Sequence, residues 1–285
     1  MIYQLYRRAV DALPVSFKNT VKVKTYSIWL LPQYANLYFW RRPPVIIYQM
    51  GKVGSTSVYE SLKLSRQYVI HAHLMQQYSQ TPENLKTVEL LMRKKSNWLY
   101  HHIIEKRHPA KIITLVRDPV AINVSLFFQN LDYWTGIPNT LETLSLEQLL
   151  EVYYSKYMRS VTNHILNWFD KQILSLLAVD VFAHSFPQEQ GYGRIQGDVY
   201  DMLVLRLEID DAVKEQCLAE FLGLEEFKLV RANIGAEKVY SEMYNAFKEA
   251  VIFPPDVLDM NYQSAFARHF YTDEQVEAFY EKWQR

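Results

Sequence analysis

Two short stretches of this chain carry the residue types that bind anions. The first is Gln49-Met50-Gly51-Lys52-Val53-Gly54-Ser55-Thr56-Ser57. It follows the apolar run Val45–Met50 and leads into a helical pattern from Ser55 to Leu64. A strand-loop-helix turn of this kind aims several backbone N–H groups, and the positive end of the helix, at one spot. Gly51 and Gly54 let the backbone approach a ligand closely or adopt φ > 0. Ser55, Thr56 and Ser57 add hydroxyl groups, and Lys52 adds a full charge. The second stretch is Leu115-Val116-Arg117-Asp118-Pro119, with Ser125 eight residues after Arg117. An arginine at a strand's end can grip a phosphate bidentately. Pro119 suits the first turn of a helix whose dipole adds to the attraction, and Ser125 lies two turns on, on the same side. The competing reading makes Arg117 an ion-pair partner of Asp118 or Glu105.

Group transfer onto a hydroxyl also needs a proton acceptor. His71 and His73 share one face of a strand by its period of two, and His73 stands nearer the carboxyl end, so it is the first candidate. Either histidine could equally be a hydrogen-bonded core residue. His184 is the next candidate, at the end of an expected short strand from Val179 to His184. Glu60 and Glu105 read as solvated helix residues. His101 and His102 lack the i, i+4 spacing of a metal pair, and no metal site is indicated.

The elements around these residues read as βα units. Strands are expected at Val45–Met50, Tyr68–Leu74, Lys111–Val116 and Met202–Leu207. Helices are expected at Ser55–Leu64, from Thr81-Pro82 to about Lys95, from Pro119 to about Gln129, through the middle of the chain from Ser145 to Leu177, and from Asp210 to about Phe221. Alternation of this kind argues for an α/β, P-loop-like three-layer fold with a central, mainly parallel sheet flanked by helices. Ligands then bind outside the carboxyl ends of the strands, where both loops lie. Gly191, Gly193 and Gly197 mark a small excursion whose Arg194 and Gln196 could meet an acceptor or an adenine. No linker divides residues 43–285, so they read as one domain, with residues 1–42 as an N-terminal extension packed on it.

Composition narrows the function further. The 285 residues are 49% hydrophobic and 22% charged, with 31 Lys plus Arg against 31 Asp plus Glu. That balance argues against a nucleic-acid partner and requires any anion site to be local. The lone cysteine, Cys217 on the apolar side of a helix, excludes an intrachain disulfide and any cysteine-based zinc site. Together these point to the cytoplasm. No stretch approaches the roughly 20 apolar residues that span a bilayer. The aromatic, basic tract before Pro43, with Lys18, Lys22, Lys24, Arg41 and Arg42, suits peripheral contact with a membrane. Its composition fits packing on the domain better still.

The first loop differs from a Walker A loop, which places its lysine directly before Ser/Thr at the loop's end. Lys52-Val53-Gly54-Ser55-Thr56 instead resembles the 5′-phosphosulfate loop of sulfotransferases that use 3′-phosphoadenosine-5′-phosphosulfate (PAPS), particularly those acting on carbohydrates. Leu115-Val116-Arg117-Asp118-Pro119 with Ser125 is similar to the 3′-phosphate motif of the same superfamily, and Arg268–Glu274 through Trp283 to its C-terminal helical segment. The nearest group is the bacterial sulfotransferase-like proteins assigned to capsular polysaccharide synthesis. The resemblance spans roughly residues 43–285. It implies sulfuryl transfer from PAPS to a hydroxyl or amine of an acceptor, such as a saccharide, without a metal. It also implies that Gly51, Lys52, Val53, Gly54, Ser55, Thr56, Ser57, Arg117 and Ser125 hold the donor. Lys52 would additionally act in catalysis, and Lys238 would close over the donor from the region 231–238. Two other classes remain: a P-loop nucleotide kinase or hydrolase, which needs Mg²⁺ and a carboxylate to hold it, and a non-catalytic nucleotide-binding scaffold.

Overall fold

Four parallel strands and one antiparallel strand form the sheet: β1 (Val45–Tyr48), β2 (Val69–Ala72), β3 (Ala110–Val116), β4 (Tyr192–Ile195) and β5 (Tyr200–Arg206), in the order β2-β1-β3-β5-β4. In the computed structural model the described residues are 17, 21, 24–79, 87–160, 162–230 and 238–284. β1 is buried at every position and β3 at all but Lys111. Such continuous Val/Ile/Leu runs are what strands covered on both faces require. Registers run Ile46↔Ile70 on one side of β1 and Ile46↔Ile112 on the other. β5 continues the parallel pairing from Ala110↔Tyr200 to Val116↔Arg206. Helices complete a three-layer α/β arrangement, the class expected from the sequence.

The longer helices are α1 (Tyr26–Tyr34), α2 (Ser55–Leu64), α3 (Thr87–Leu99), α4 (Pro119–Gln129), α5 (Leu146–Val152), α6 (Asp211–Leu222), α7 (Lys238–Ala250), α8 (Pro255–Tyr262), α9 (Ala265–Phe270) and α10 (Asp273–Gln284). The expected start of α3 at Thr81-Pro82 lies outside the described residues. α4 is buried along nearly its whole length, because its sequence PVAINVSLFFQ offers no charged face. It joins two apolar clusters. Ile122 packs with the sheet, whereas Val120, Val124, Phe127 and Phe128 pack with α5, α7, α8 and Trp283 of α10. Asp118 caps α4, accepting from the Val120 N–H at 3.0 Å. The same carboxylate accepts from the Tyr262 hydroxyl at 2.9 Å and from Trp283 Nε1 at 2.8 Å, which fastens the C-terminal helices to the start of α4.

Two expected features differ. Val179–His184 is not a strand: the Asp180 carboxylate accepts from the Phe182 and Ala183 N–H groups and closes a 3₁₀ turn at Val181–Ala183. The glycine-bearing excursion is itself a strand, β4, paired antiparallel to β5 with Arg194↔Leu203. Its short length and internal Gly193 suit an edge position.

Candidate functional site

β1 has β2 on one side and β3 on the other, so the β1-to-β2 and β2-to-β3 connections run in opposite directions along the sheet. The Gly51–Ser57 loop and Arg117 meet at the carboxyl ends of β1 and β3, the position at which open α/β sheets form their ligand crevice. Gly54 stands before α2 with φ +78°, and no side chain caps the helix. The first-turn N–H groups of Ser55 and Thr56 are therefore placed to meet a ligand. A Cβ at Gly54 would lie 2.4 Å from Leu207 Cδ1, so the turn needs glycine for space as well as for φ. Lys52 also adopts a left-handed conformation, φ 66°, which costs a lysine about 1–2 kcal/mol. Strain of this sort is tolerated where the neighbouring structure dictates it.

The second loop meets the first through Arg117. Its Nη1 donates to the Lys52 carbonyl and to Ser125 Oγ, each at 3.0 Å. Ser125 Oγ lies 2.7 Å from the Tyr244 hydroxyl of α7. Among the described residues Arg117 forms no ion pair with Asp118 or Glu105, which removes that competing reading. Burial holds the Lys52 ammonium below the usual lysine range; Arg117 pushes the same way and Tyr244 opposes it. Removing water from two neighbouring cations makes each a stronger attractor of a polyanion.

Behind the loop sits a polar network. Gln49 Nε2 donates to Ser55 Oγ, and His71 Nε2 lies 3.0 Å from the same oxygen. Ser55 is buried, so its hydroxyl braces the loop from within while its N–H stays in the open first turn. Thr56 is exposed, Ser57 half-buried and Val53 buried beneath the loop. The His71 ring stacks on Tyr59 at 5.2 Å, and its carbonyl accepts from Lys95 Nζ. Burial pulls His71 down to about 3 and Lys95 down to about 8.

His73 lies just past the end of β2, its ring centroid 4.9 Å from that of His71, as the strand period requires. His73 Nδ1 is 3.2 Å from the Gln49 carbonyl oxygen, so the proton belongs on Nδ1 and the Nε2 lone pair is available. Desolvation lowers the His73 pKa, the Gln49 bond opposes this, and the Lys95 charge adds to the lowering. His73 is thus neutral at physiological pH.

Other candidates lie elsewhere. His184 is exposed beyond the 3₁₀ turn, at no strand end. Arg194 is spent on Asp201 near the amino end of β5, at 2.7 and 2.8 Å, and Gln196 is exposed at the same edge of the sheet. Glu60 pairs with Lys63, and Glu105 with His101. Lys238 opens α7, but its side chain and residues 231–237 lie outside the described residues.

Sequence reasoning assigned no role to Gln49, Lys95, Tyr244 or Glu208. Glu208 follows β5 as Lys52 follows β1, and that shared position past an apolar strand was the available signal. Its carboxylate accepts from the Asp118 N–H at 2.8 Å and the Tyr271 hydroxyl at 3.2 Å. Although the residue keeps exposed surface, desolvation of its carboxyl raises the pKa. Lys95 follows Lys94 on a helix that reads as solvated, and Tyr244 is one of many aromatics, so neither stood out.

Residues 143–272 match the family described as "Putative capsular polysaccharide synthesis protein". The match fits a role in polysaccharide synthesis. It covers under half of the chain, including β4, β5, Glu208 and Tyr271, and begins after both anion loops. No curated protein matches the sequence. Among the described residues no helix is long and apolar enough to cross a membrane.

Proposed function

We propose that the chain transfers a sulfuryl group from PAPS to a hydroxyl, or an amine, of a saccharide acceptor. The observation that carries this reading is the Arg117 bridge, which ties the two loops together at one end of the sheet. A donor bearing a 5′-phosphosulfate and a 3′-phosphate needs two anion sites side by side. In this reading Gly51 to Ser57 cradle the 5′-phosphosulfate, and Arg117 and Ser125, with Lys238, take the 3′-phosphate. His73 Nε2 takes the acceptor's proton as its oxygen bonds to sulfur. The bond from sulfur to the bridging oxygen breaks, its electron pair leaves with the phosphate, and Lys52 neutralises the growing charge. A saccharide acceptor rests on the capsular polysaccharide match.

A Mg²⁺-dependent kinase would want a free carboxylate after β3, but that of Asp118 already accepts from three donors and is buried. The deciding experiment incubates the protein with radiolabelled PAPS and bacterial capsular saccharides, with and without EDTA. Label should appear in the saccharide and 3′-phosphoadenosine 5′-phosphate should accumulate, both unaffected by EDTA. Mg²⁺-dependent consumption of ATP with no use of PAPS would overturn the proposal.

A further inference from the structure

The surface ahead of β1 is built unlike the rest of the chain. In the sequence from Ala12 to Pro44 there is no Asp or Glu, whereas Lys18, Lys22, Lys24, Arg41 and Arg42 all fall there, in a protein with no formal net charge. α1 and the π-helical turn that follows it, Ala35–Phe39, hold one face against the protein. Trp29 and Tyr34 pack edge-on to Trp98 of α3 at 5.8 and 6.1 Å, and Leu37 is buried. Large apolar side chains of the same stretch are exposed. Phe39 is 81% exposed, Leu31 61% and Trp40 54%, all within ten residues. Soluble surfaces scatter such side chains singly; Phe39 and Trp40 stand together, their ring centroids 5.9 Å apart, and adjoining exposed rings of this kind mark an interaction site.

The charge beside these rings indicates what they meet. Arg42 lies over the Trp40 ring at 5.9 Å, and Lys106 reaches the Tyr38 hydroxyl at 3.2 Å, bringing a cation from the loop before β3. Glu105, the carboxylate of that loop, is occupied by His101. Phe39 to Arg42 immediately precede β1 and so lie at the amino ends of the strands, opposite the Lys52–Arg117 crevice. Bulky apolar and indole side chains followed directly by two arginines, on a helix and the segment leaving it, match the chemistry of a membrane interface: rings enter the headgroup region while the cations pair with anionic lipid.

We infer that Leu31, Phe39, Trp40, Arg41 and Arg42 form a peripheral docking surface for an anionic lipid bilayer, holding the protein with its crevice turned away from the membrane. The inference does not depend on the reaction proposed above. The test is co-sedimentation of the full chain with vesicles of phosphatidylcholine alone and of phosphatidylcholine with phosphatidylglycerol. Wild-type protein should sediment with the anionic vesicles and not the neutral ones, and binding should weaken as salt rises. Arg41→Gln with Arg42→Gln should weaken binding roughly 25-fold, at about fivefold per charge. Phe39→Ser with Trp40→Ser should weaken it at least roughly tenfold. Both sites are exposed, so the thermal melts should stay within a few degrees of wild type. Absence of sedimentation, equal binding to both vesicle types, or unchanged binding in both variants would overturn the inference. So would concentration-dependent dimerisation abolished by Phe39→Ser with Trp40→Ser in the absence of vesicle binding, because the face would then serve a second copy.

Discussion

Adding one methyl group at Gly54 probes the loop geometry directly. With φ at +78° an alanine there pays about 1–2 kcal/mol for the left-handed conformation. Its Cβ would also stand 2.4 Å from Leu207 Cδ1, over 1 Å inside ordinary contact, so Leu207 must leave its rotamer. Leu207 is only half-buried and can move, at a cost of about 0.5–1.5 kcal/mol. The lower entropy of the unfolded chain returns about 0.4–1 kcal/mol. Gly54→Ala should therefore destabilise by roughly 1–3 kcal/mol. In a double-mutant cycle with Leu207→Ala, the Gly54→Ala penalty should shrink by about 1 kcal/mol, leaving the backbone part. Urea unfolding with an unchanged m-value measures both quantities. A neutral or stabilising Gly54→Ala would refute the left-handed turn and, with it, the open first turn of α2 on which the anion loop depends.

Other consequences concern the side chains around the crevice. Lys52→Gly should leave the fold as stable or slightly more so by relieving a left-handed lysine, yet lower kcat far more than it weakens nucleotide binding; single-turnover kinetics beside thermal melts would show the split. His73→Ala should reduce kcat roughly 10²–10⁴-fold and abolish the acidic limb of the pH–rate profile, a limb that in wild type lies below the ordinary imidazole value of 6.5 because burial lowers the His73 pKa. His71, held neutral down to about 3, contributes stability that is full above pH 6.5 and is lost as pH falls from 6.5 toward 3, by at most about 1.4 kcal/mol per pH unit. His71→Gln should flatten that part of the stability–pH curve, which denaturant midpoints at several pH values would detect.

The parallel sheet and both loops were legible because each leaves a local trace. Continuous apolar runs mark β1 and β3, and glycine, lysine and hydroxyl residues directly follow the first of them. His73 could be placed by the strand period alone, although β2 itself ends one residue earlier. What the sequence hid depends on long-range packing. The Gln49–Ser55–His71 network joins residues up to 22 positions apart, and Tyr244 reaches Ser125 across 119 positions. Asp118 looked like a possible partner for Arg117, but two distant rings, those of Tyr262 and Trp283, claim it instead. Val179–His184 read as a strand because its apolar residues outweighed Asp180, whose side chain bonds the next N–H groups and turns the chain. The glycines at 191, 193 and 197 read as turns only, yet an edge strand lies among them because pairing with β5 overrides their low strand propensity.

The central claim is that two anion sites, joined by Arg117, bind one nucleotide carrying phosphates at both ends. Isothermal titration of wild-type protein and of Arg117→Ala with 3′-phosphoadenosine 5′-phosphate and with AMP tests it most directly. The wild type should prefer the bisphosphate by roughly 10- to 150-fold, the equivalent of about 1.5–3 kcal/mol for a charge-assisted contact, and Arg117→Ala should erase most of that preference. Equal affinity for the two nucleotides in the wild type, or a preference that survives loss of Arg117, would contradict the account.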